Sequence, residues 1–344
     1  MRMKTRHIIL ICFLAILMVI LGFIAGCFID GKCNYKYKNT NEYLPKWMSM
    51  LKDDTKLNEI IMPGSHDSGS YKMFYMGETQ KFDISQQLEL GTRYFDIRII
   101  NDNGKYRIFH DVIKGIDAEP IFKYFNDFLN NNPSETLILD FQHFENNPEK
   151  KVLEFINTYL KDKLVKNNTS LSDLAFIDGL KLSDVRGKCI ILFKQSSEYT
   201  NLDYIFGRNN DLCTIPNSSL NSNYIRDYNI DKAKIYLETH IQNYIDNIKD
   251  KITNEGYKGL FVLQCQLTDA KKIFGPWSRE KQLDENMQAW ITYLPNTDNF
   301  QYINILMRDF INQEKCENII RLNYTKGFVK EEYDEEYMNA FKVV

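Results

Sequence analysis

The chain has 344 residues, 44% of them hydrophobic and 26% charged, a balance that buries a sizeable core and excludes a disordered protein. Its 43 basic and 46 acidic side chains leave a formal charge of −3 and no basic stripe, which excludes a nucleic-acid binder. Seven scattered cysteines with no Cys-x-x-Cys pair exclude a disulfide framework, structural zinc and a redox couple; Cys189 and Cys265, in apolar runs, read as small buried hydrophobes.

Arg2, Lys4 and Arg6 precede an unbroken apolar run from Ile8 to Ile29. A helix needs about 20 such residues to cross a bilayer, and the same pattern describes a secretory signal. Within the run, "IAGC" (Ile24 to Cys27) resembles the lipobox of bacterial lipoproteins, in which the cysteine is lipidated after cleavage. Residues 1–29 are therefore expected to be a signal peptide with lipidation at Cys27, or a transmembrane anchor. Either way the body lies outside the cytoplasm at a membrane surface. Cleavage would remove Arg2, Lys4 and Arg6, taking the charge from −3 to −6. An acidic body is not drawn to anionic lipid by its charge, and a tether removes that need.

Residues 30–54 read as a polar linker with a docking segment. Strand-like and helix-like pieces then alternate. "NEIIMPG" (58–64), "TRYFDIRII" (92–100) and "YRIFH" (106–110) read as strands, the last two joined by the turn "NDNG". "AEPIFKYFNDFLNN" (118–131) has helical spacing, "ETLILDFQHF" (135–144) is a strand, and "PEKKVLEFINTYLKD" (148–162) is a helix opened by proline. "KCIILFK" (188–194) is a fully apolar strand, as expected where both faces are covered. Residues 195–232 read as a long loop. A helix over 240–256, a strand over 259–268, a helix over 283–293, a strand over 303–310 and a helix over 311–323 complete the pattern. This alternation predicts an α/β fold, a distorted TIM-type barrel over residues 55–325. Residues 326–344 read as an acidic, solvated tail.

The ionisable residues fall where such a barrel would collect them. His66 and Asp67 follow the first strand, and Asp96 and Arg98 share one face of the second at i and i+2. His110 ends the third strand, and Asp309 lies near the end of the last. The C-terminal strand ends of a barrel converge on one mouth. Two imidazoles, a guanidinium and carboxylates at one opening suit phosphodiester cleavage, with one histidine as base, the other as acid and the arginine on the charged oxygens. Each residue alone has a bland reading as a surface group or structural ion pair; their joint placement carries the argument.

The stretches "MPGSHDSGSY", "QQLELGTRYFDIRI", "FHD", "PSETLILDFQHF" and "DVRGKCIILFK" resemble, in order, the motifs of the phosphatidylinositol-specific phospholipase C family of X-domain type, over roughly residues 55–310. The resemblance implies cleavage of the diacylglycerol–phosphate bond of phosphatidylinositol. It makes His66 the base on the inositol 2-hydroxyl, Asp309 its orienting carboxylate, and His110 the acid on the leaving oxygen, helped by Asp67. Arg98 would bind a phosphoryl oxygen, with Asp96 supporting the network. The calcium-requiring branch of the family has an acidic residue where this chain has Arg98, and a guanidinium does not ligate calcium. The resemblance therefore implies no metal and no cofactor.

Departures from the family concern the head group. Asp111 follows His110 where the family usually has glycine. Gln142 and His143 end a strand where secreted bacterial relatives carry basic residues, and Lys194 ends another. These three are expected to bind substrate. Phe274 and Trp277, around the Gly275–Pro276 turn, could insert at a lipid interface or cover the barrel's flank. The expected partners are a membrane phospholipid and the membrane surface, with the protein a monomer. Two rivals remain at this point: a glycerophosphodiester phosphodiesterase, which wants an acidic metal site, and a silent tethered lipid- or inositol-binding module.

Overall fold

The computed structural model describes residues 5–194, 199, 202–208, 220–222, 242, 245, 246, 249, 253, 254, 256–266 and 275–341. Among the described residues eight strands lie parallel: β1 (Met62–Ser65), β2 (Tyr94–Asp102), β5 (Leu137–Glu145), β6 (Cys189–Lys194), β7 (Ile205–Arg208), β8 (Leu220–Ser222), β9 (Leu260–Gln264) and β10 (Ile305–Arg308). Their order is β7-β6-β5-β2-β1-β10-β9-β8, and among the described residues β7 and β8 do not pair with each other. Among the described residues the fold is thus a curled parallel sheet, a half-barrel of TIM type. β7 and β8 both lie in the stretch read as loop, where short strands separated by polar residues give no clear periodicity.

Curling follows from the side chains. Met62, Tyr94, Ile138, Ile190, Leu192, Phe206, Val262, Ile305 and Met307 share one parity along their strands and meet in a single buried cluster. Residues of the opposite parity pack outward. On one flank they meet α2 (Ile84–Glu89), α3 (Glu119–Asn131) and α4 (Glu149–Tyr159); on the other, α7 (Gly275–Tyr293) and α8 (Gln313–Thr325). Short helices α5 (Asp173–Gly179) and α6 (Leu182–Val185) lead into β6. Strands buried on both faces read as continuous apolar runs, which is why β5, β6 and β9 were visible in the sequence.

The expected linker and tail are folded parts of the body. Residues Leu44–Met50 form a short helix whose Leu44, Trp47 and Met48 are fully buried in the inner cluster, closing the N-terminal end of the strands. Trp47 Nε1 donates to the Gly91 carbonyl at 3.0 Å. Replacing Trp47 by alanine is expected to cost about 3–5 kcal/mol, seen as a lower urea midpoint at constant slope. At the other terminus Val329 bridges Leu51, and α9 (Asp334–Ala340) buries Tyr337 on α8, with Phe341 buried just beyond it. The acidic residues of that segment sit on the solvent side and mask, in sequence, its apolar face.

The expectation that residues 240–256 form a helix lies largely outside the described residues, as does Phe274. Trp277 is buried in the first turn of α7, edge-on to Phe310 at 5.0 Å and Tyr35 at 4.8 Å, so it covers the barrel's flank and offers nothing to a lipid interface. Residues of the N-terminal apolar run lie in one helix, α1 (Thr5–Asp30), with Phe13, Ile16, Met18 and Val19 exposed and Cys27 buried. Among the described residues no helix is long and apolar enough to cross a membrane, and the spanning-anchor expectation gains no support from the fold.

Candidate active site

The stretch "MPGSHDSG" leaves β1 through a crowded turn. A Cβ on Gly64 would lie 2.9 Å from the Tyr94 ring, and one on Gly69 would lie 2.8 Å from Ile108, so neither position accepts a side chain. Asp67 between them adopts φ 43, a left-handed conformation that Asp tolerates better than most residues and that is stored at functional sites. The turn drives His66 and Asp67 into the mouth, where both are almost completely buried.

His66 Nδ1 lies 2.7 Å from Asp309 Oδ1, just past the end of β10. Its Nε2 faces Asp67 Oδ2 at 3.4 Å and Arg98 Nη2 at 3.2 Å, with Asp96 Oδ2 at 3.9 Å. Burial opposes charge on this ring, but Asp67 and Asp309 outweigh it and raise the pKa from 6.5 to about 9. Burial pushes the Asp67 carboxyl up, and Arg98, His66 and His110 together hold it below the usual carboxylate range. In the unfolded chain His66 titrates near 6.5, so its ion pairing stabilises the fold fully below that pH and is lost as pH rises through 9. Melting temperature should therefore fall by a few degrees between pH 6.5 and 9, and fall less in His66→Ala, a difference read by calorimetry at each pH.

Arg98 is held as a fork. Its Nε pairs with Asp67, and its Nη2 contacts Asp96 Oδ2 at 3.2 Å and donates to Gln142 Oε1 at 2.7 Å. Gln142 reaches it because of a register shift: Phe141 pairs with Ile97 but His143 with Arg98, so Gln142 is an extra residue. Such a bulge re-aims side chains and places both Gln142 and His143 on the mouth side of β5. His143 is exposed, edge-on to Phe109 at 5.3 Å, and burial, Lys194 and Arg98 lower its pKa. Lys194, half-buried at the end of β6, shares that side.

His110 belongs to no barrel strand. β2 overshoots the mouth to Asp102, turns at Asn103 and Gly104, and returns antiparallel as β3 (Lys105–His110), which pairs with β4 (Ile113–Asp117). The register Ile99↔Ile108 carries His110 back down to the level of Ile97. Its Nδ1 donates to the Gly77 carbonyl at 3.0 Å and lies 3.6 Å from Asp67 Oδ2. Both imidazoles thus border the same carboxylate oxygen. Asp111 sits in the exposed hairpin turn with φ 52, where glycine would be unstrained.

The structure brings His66, Asp67, Asp96, Arg98, His110 and Asp309 into direct contact, with Gln142 bonded to the cluster and His143 and Lys194 at its edge. His66, Asp67 and Asp96 offer donor atoms within 4.8 Å of one another, a spacing that would suit a cation. Arg98 already binds both carboxylates there, so the positive charge is supplied by the chain and the donor set does not fit a metal ion.

Sequence reasoning missed two sets of residues. Gln80 clamps the site from behind, donating from Nε2 to the carbonyls of His66 (2.8 Å) and Arg308 (3.1 Å) and accepting from Ile311 N (3.0 Å). Gln264 and Gln266, buried at the end of β9 and bonded to each other at 3.0 Å, share the inward parity of Val262. Two glutamines at i and i+2 inside the apolar run "FVLQCQ" were the available signal.

Comparison with known proteins bears on the fold and the family. Residues 54–195 match the model of the phosphatidylinositol-specific phospholipase C X domain. Residues 54–195 carry that family's X domain. A relative from Listeria monocytogenes, named 1-phosphatidylinositol phosphodiesterase, is 27% identical over 81% of this chain and 84% of its own length. One of the same name from Staphylococcus aureus (strain Newman) is 27% identical over 46% of this chain and 53% of its own. The solved structure of phosphatidylinositol-specific phospholipase C from Listeria monocytogenes shares the fold, with a TM-score of 0.64 at 22% identity, covering 81% of this chain and 98% of the other. The X-domain match ends at residue 195, so it includes His66 through Lys194 but not Asp309.

Proposed function

We propose that this protein cleaves phosphatidylinositol-type lipids between diacylglycerol and phosphate. The carrying observation is the single buried cluster in which His66, backed by Asp309, and His110 flank Asp67 beside the Arg98 guanidinium. Neutral His66 takes the proton of the inositol 2-hydroxyl, and the oxygen attacks phosphorus in line. The bond to the diacylglycerol oxygen breaks, His110 returns a proton to it, and a five-membered cyclic inositol phosphate remains. Arg98 stabilises the charge that develops on the non-bridging oxygen, and Asp96 holds the arginine. Gln142, His143 and Lys194 face the space for the head group.

The protein in detergent with phosphatidylinositol should give the cyclic phosphate in phosphorus NMR, and phosphatidylcholine, which lacks a neighbouring hydroxyl, should give nothing. Activity should survive saturating chelator, because Arg98 supplies the charge; activity lost to chelator and restored by calcium would refute this. We further propose that the enzyme works outside the cytoplasm as a monomer at a membrane surface, tethered through lipidated Cys27. The basic residues, apolar run and "IAGC" support that reading. Palmitate labelling of cells that is lost in Cys27→Ser would favour the lipid; unchanged labelling would remove it.

A further inference from the structure

Asp309 is followed by Phe310, whose φ of 46 turns the chain sharply and whose N–H donates to the Thr79 carbonyl at 2.7 Å. The turn separates the two ends of Asp309: its carboxylate meets His66, while its carbonyl accepts from Lys315 Nζ on α8 at 2.9 Å. Lys315 is 2% exposed at its side chain. Its ammonium also bonds Glu280 Oε1 at 2.5 Å and faces Asp284 Oδ1 at 3.4 Å, both on α7. Fully buried Arg308 joins the same acids, at 2.8 Å from Glu280 and 2.7 Å from Asp284, and Tyr35 donates to Asp284 Oδ2 at 2.9 Å.

Lys315, Arg308 and Glu280 are thus withdrawn from water directly behind Asp309, with Asp284, about a quarter exposed, at the cluster's edge. An apolar set of the same volume commonly holds helices as well as a buried ion cluster does. What an apolar set cannot do is bond the Asp309 carbonyl.

We propose that Lys315 is a positioning residue: held by Glu280 and Asp284, which Arg308 also pairs, it fixes Asp309 through its backbone so that the carboxylate stays on His66 Nδ1. The activity part of this rests on the phospholipase reading; the positioning part does not. Misplacing a catalytic group by about 1 Å can cost about 100-fold in rate.

The test is full-length Lys315→Met/Glu280→Gln, which removes one cation and one anion and leaves Arg308 with Asp284. The titration of the His66 ring is followed by NMR, with kcat and KM on phosphatidylinositol alongside. The charged groups facing that ring are Asp67 on its own loop, Asp96 and Arg98 from β2, and Asp309. Only Asp309 should move, so the ring should titrate at lower pH and kcat should fall by about 100-fold with KM little changed. Lys315→Arg, which keeps the charge and its donors, should restore most of both. A folded double variant with wild-type His66 titration overturns the proposal, whatever its melting temperature. Should the double variant not fold, Glu280→Gln alone should shift the ring in the same direction by less, and no shift there overturns it equally. If the parent protein cleaves no lipid, the phospholipase reading fails, and the ring titration still decides the positioning.

Discussion

Replacing His66 by alanine is expected to lower kcat/KM on phosphatidylinositol by about 10⁴-fold, the upper end of what a positioned base contributes. Its Nδ1 is bound to Asp309, so Nε2 is the nitrogen left to face the inositol hydroxyl. A base works only when neutral, and this ring is held charged up to about pH 9 by Asp67 and Asp309 against the opposing effect of burial. The wild-type kcat/KM should therefore climb with unit slope through neutral pH and level off near 9. Asp309→Asn removes one of the two anions, so the climb should shift to lower pH while the plateau drops. His110→Ala should cost about 10³-fold, and most of that loss should vanish on a substrate whose leaving alcohol is acidic enough to depart without a proton. If His66→Ala retains more than a tenth of wild-type activity, the base is another group and the proposed reaction is wrong.

Much of this site could be read from the sequence because its parts obey simple periodicities. Asp96 and Arg98 share a face through the two-residue repeat of a strand, and His66 and Asp309 follow apolar runs that end in polar residues. Depth of burial on both faces made β5, β6 and β9 plain. What the sequence hid is long-range. His110 looked like a third barrel-strand end, but only the antiparallel return of β3 on β2 brings it to Asp67. The bulge at Gln142 leaves no mark in "DFQHF", since either register gives an apolar strand ending in polar residues. The Lys315 cluster leaves no signal in the sequence, because its burial depends on α7 and α8 packing over β10. The tail beyond residue 325 misled for a compositional reason, its many acidic residues outweighing the two aromatics, Tyr337 and Phe341, that anchor it.

Arg98→Met is expected to cost about 10³-fold in kcat, with a smaller change in KM, because the guanidinium acts most strongly on charge that forms as phosphorus is attacked. Arg98→Lys tests the geometry separately from the charge. The wild-type side chain engages Asp67 through Nε while Nη2 contacts Asp96, Gln142 and His66. One ammonium cannot occupy both positions, so lysine should recover only part of the loss, leaving a deficit of about 10²-fold. The variants should differ again in acid. In the wild type, Arg98 is the foremost charge holding the buried Asp67 carboxyl down against desolvation. Without it Asp67 should take up a proton at higher pH, weakening its hold on both imidazoles. In Arg98→Met the stability that Asp67 contributes above its unfolded pKa should thus disappear earlier as pH falls, and the melting temperature should drop at a higher pH than in wild type. Lysine, which keeps the charge near Asp67, should leave that acid limb close to its original place even though turnover stays low. If lysine restores full turnover, the fork geometry is irrelevant and Arg98 serves as a simple counter-charge.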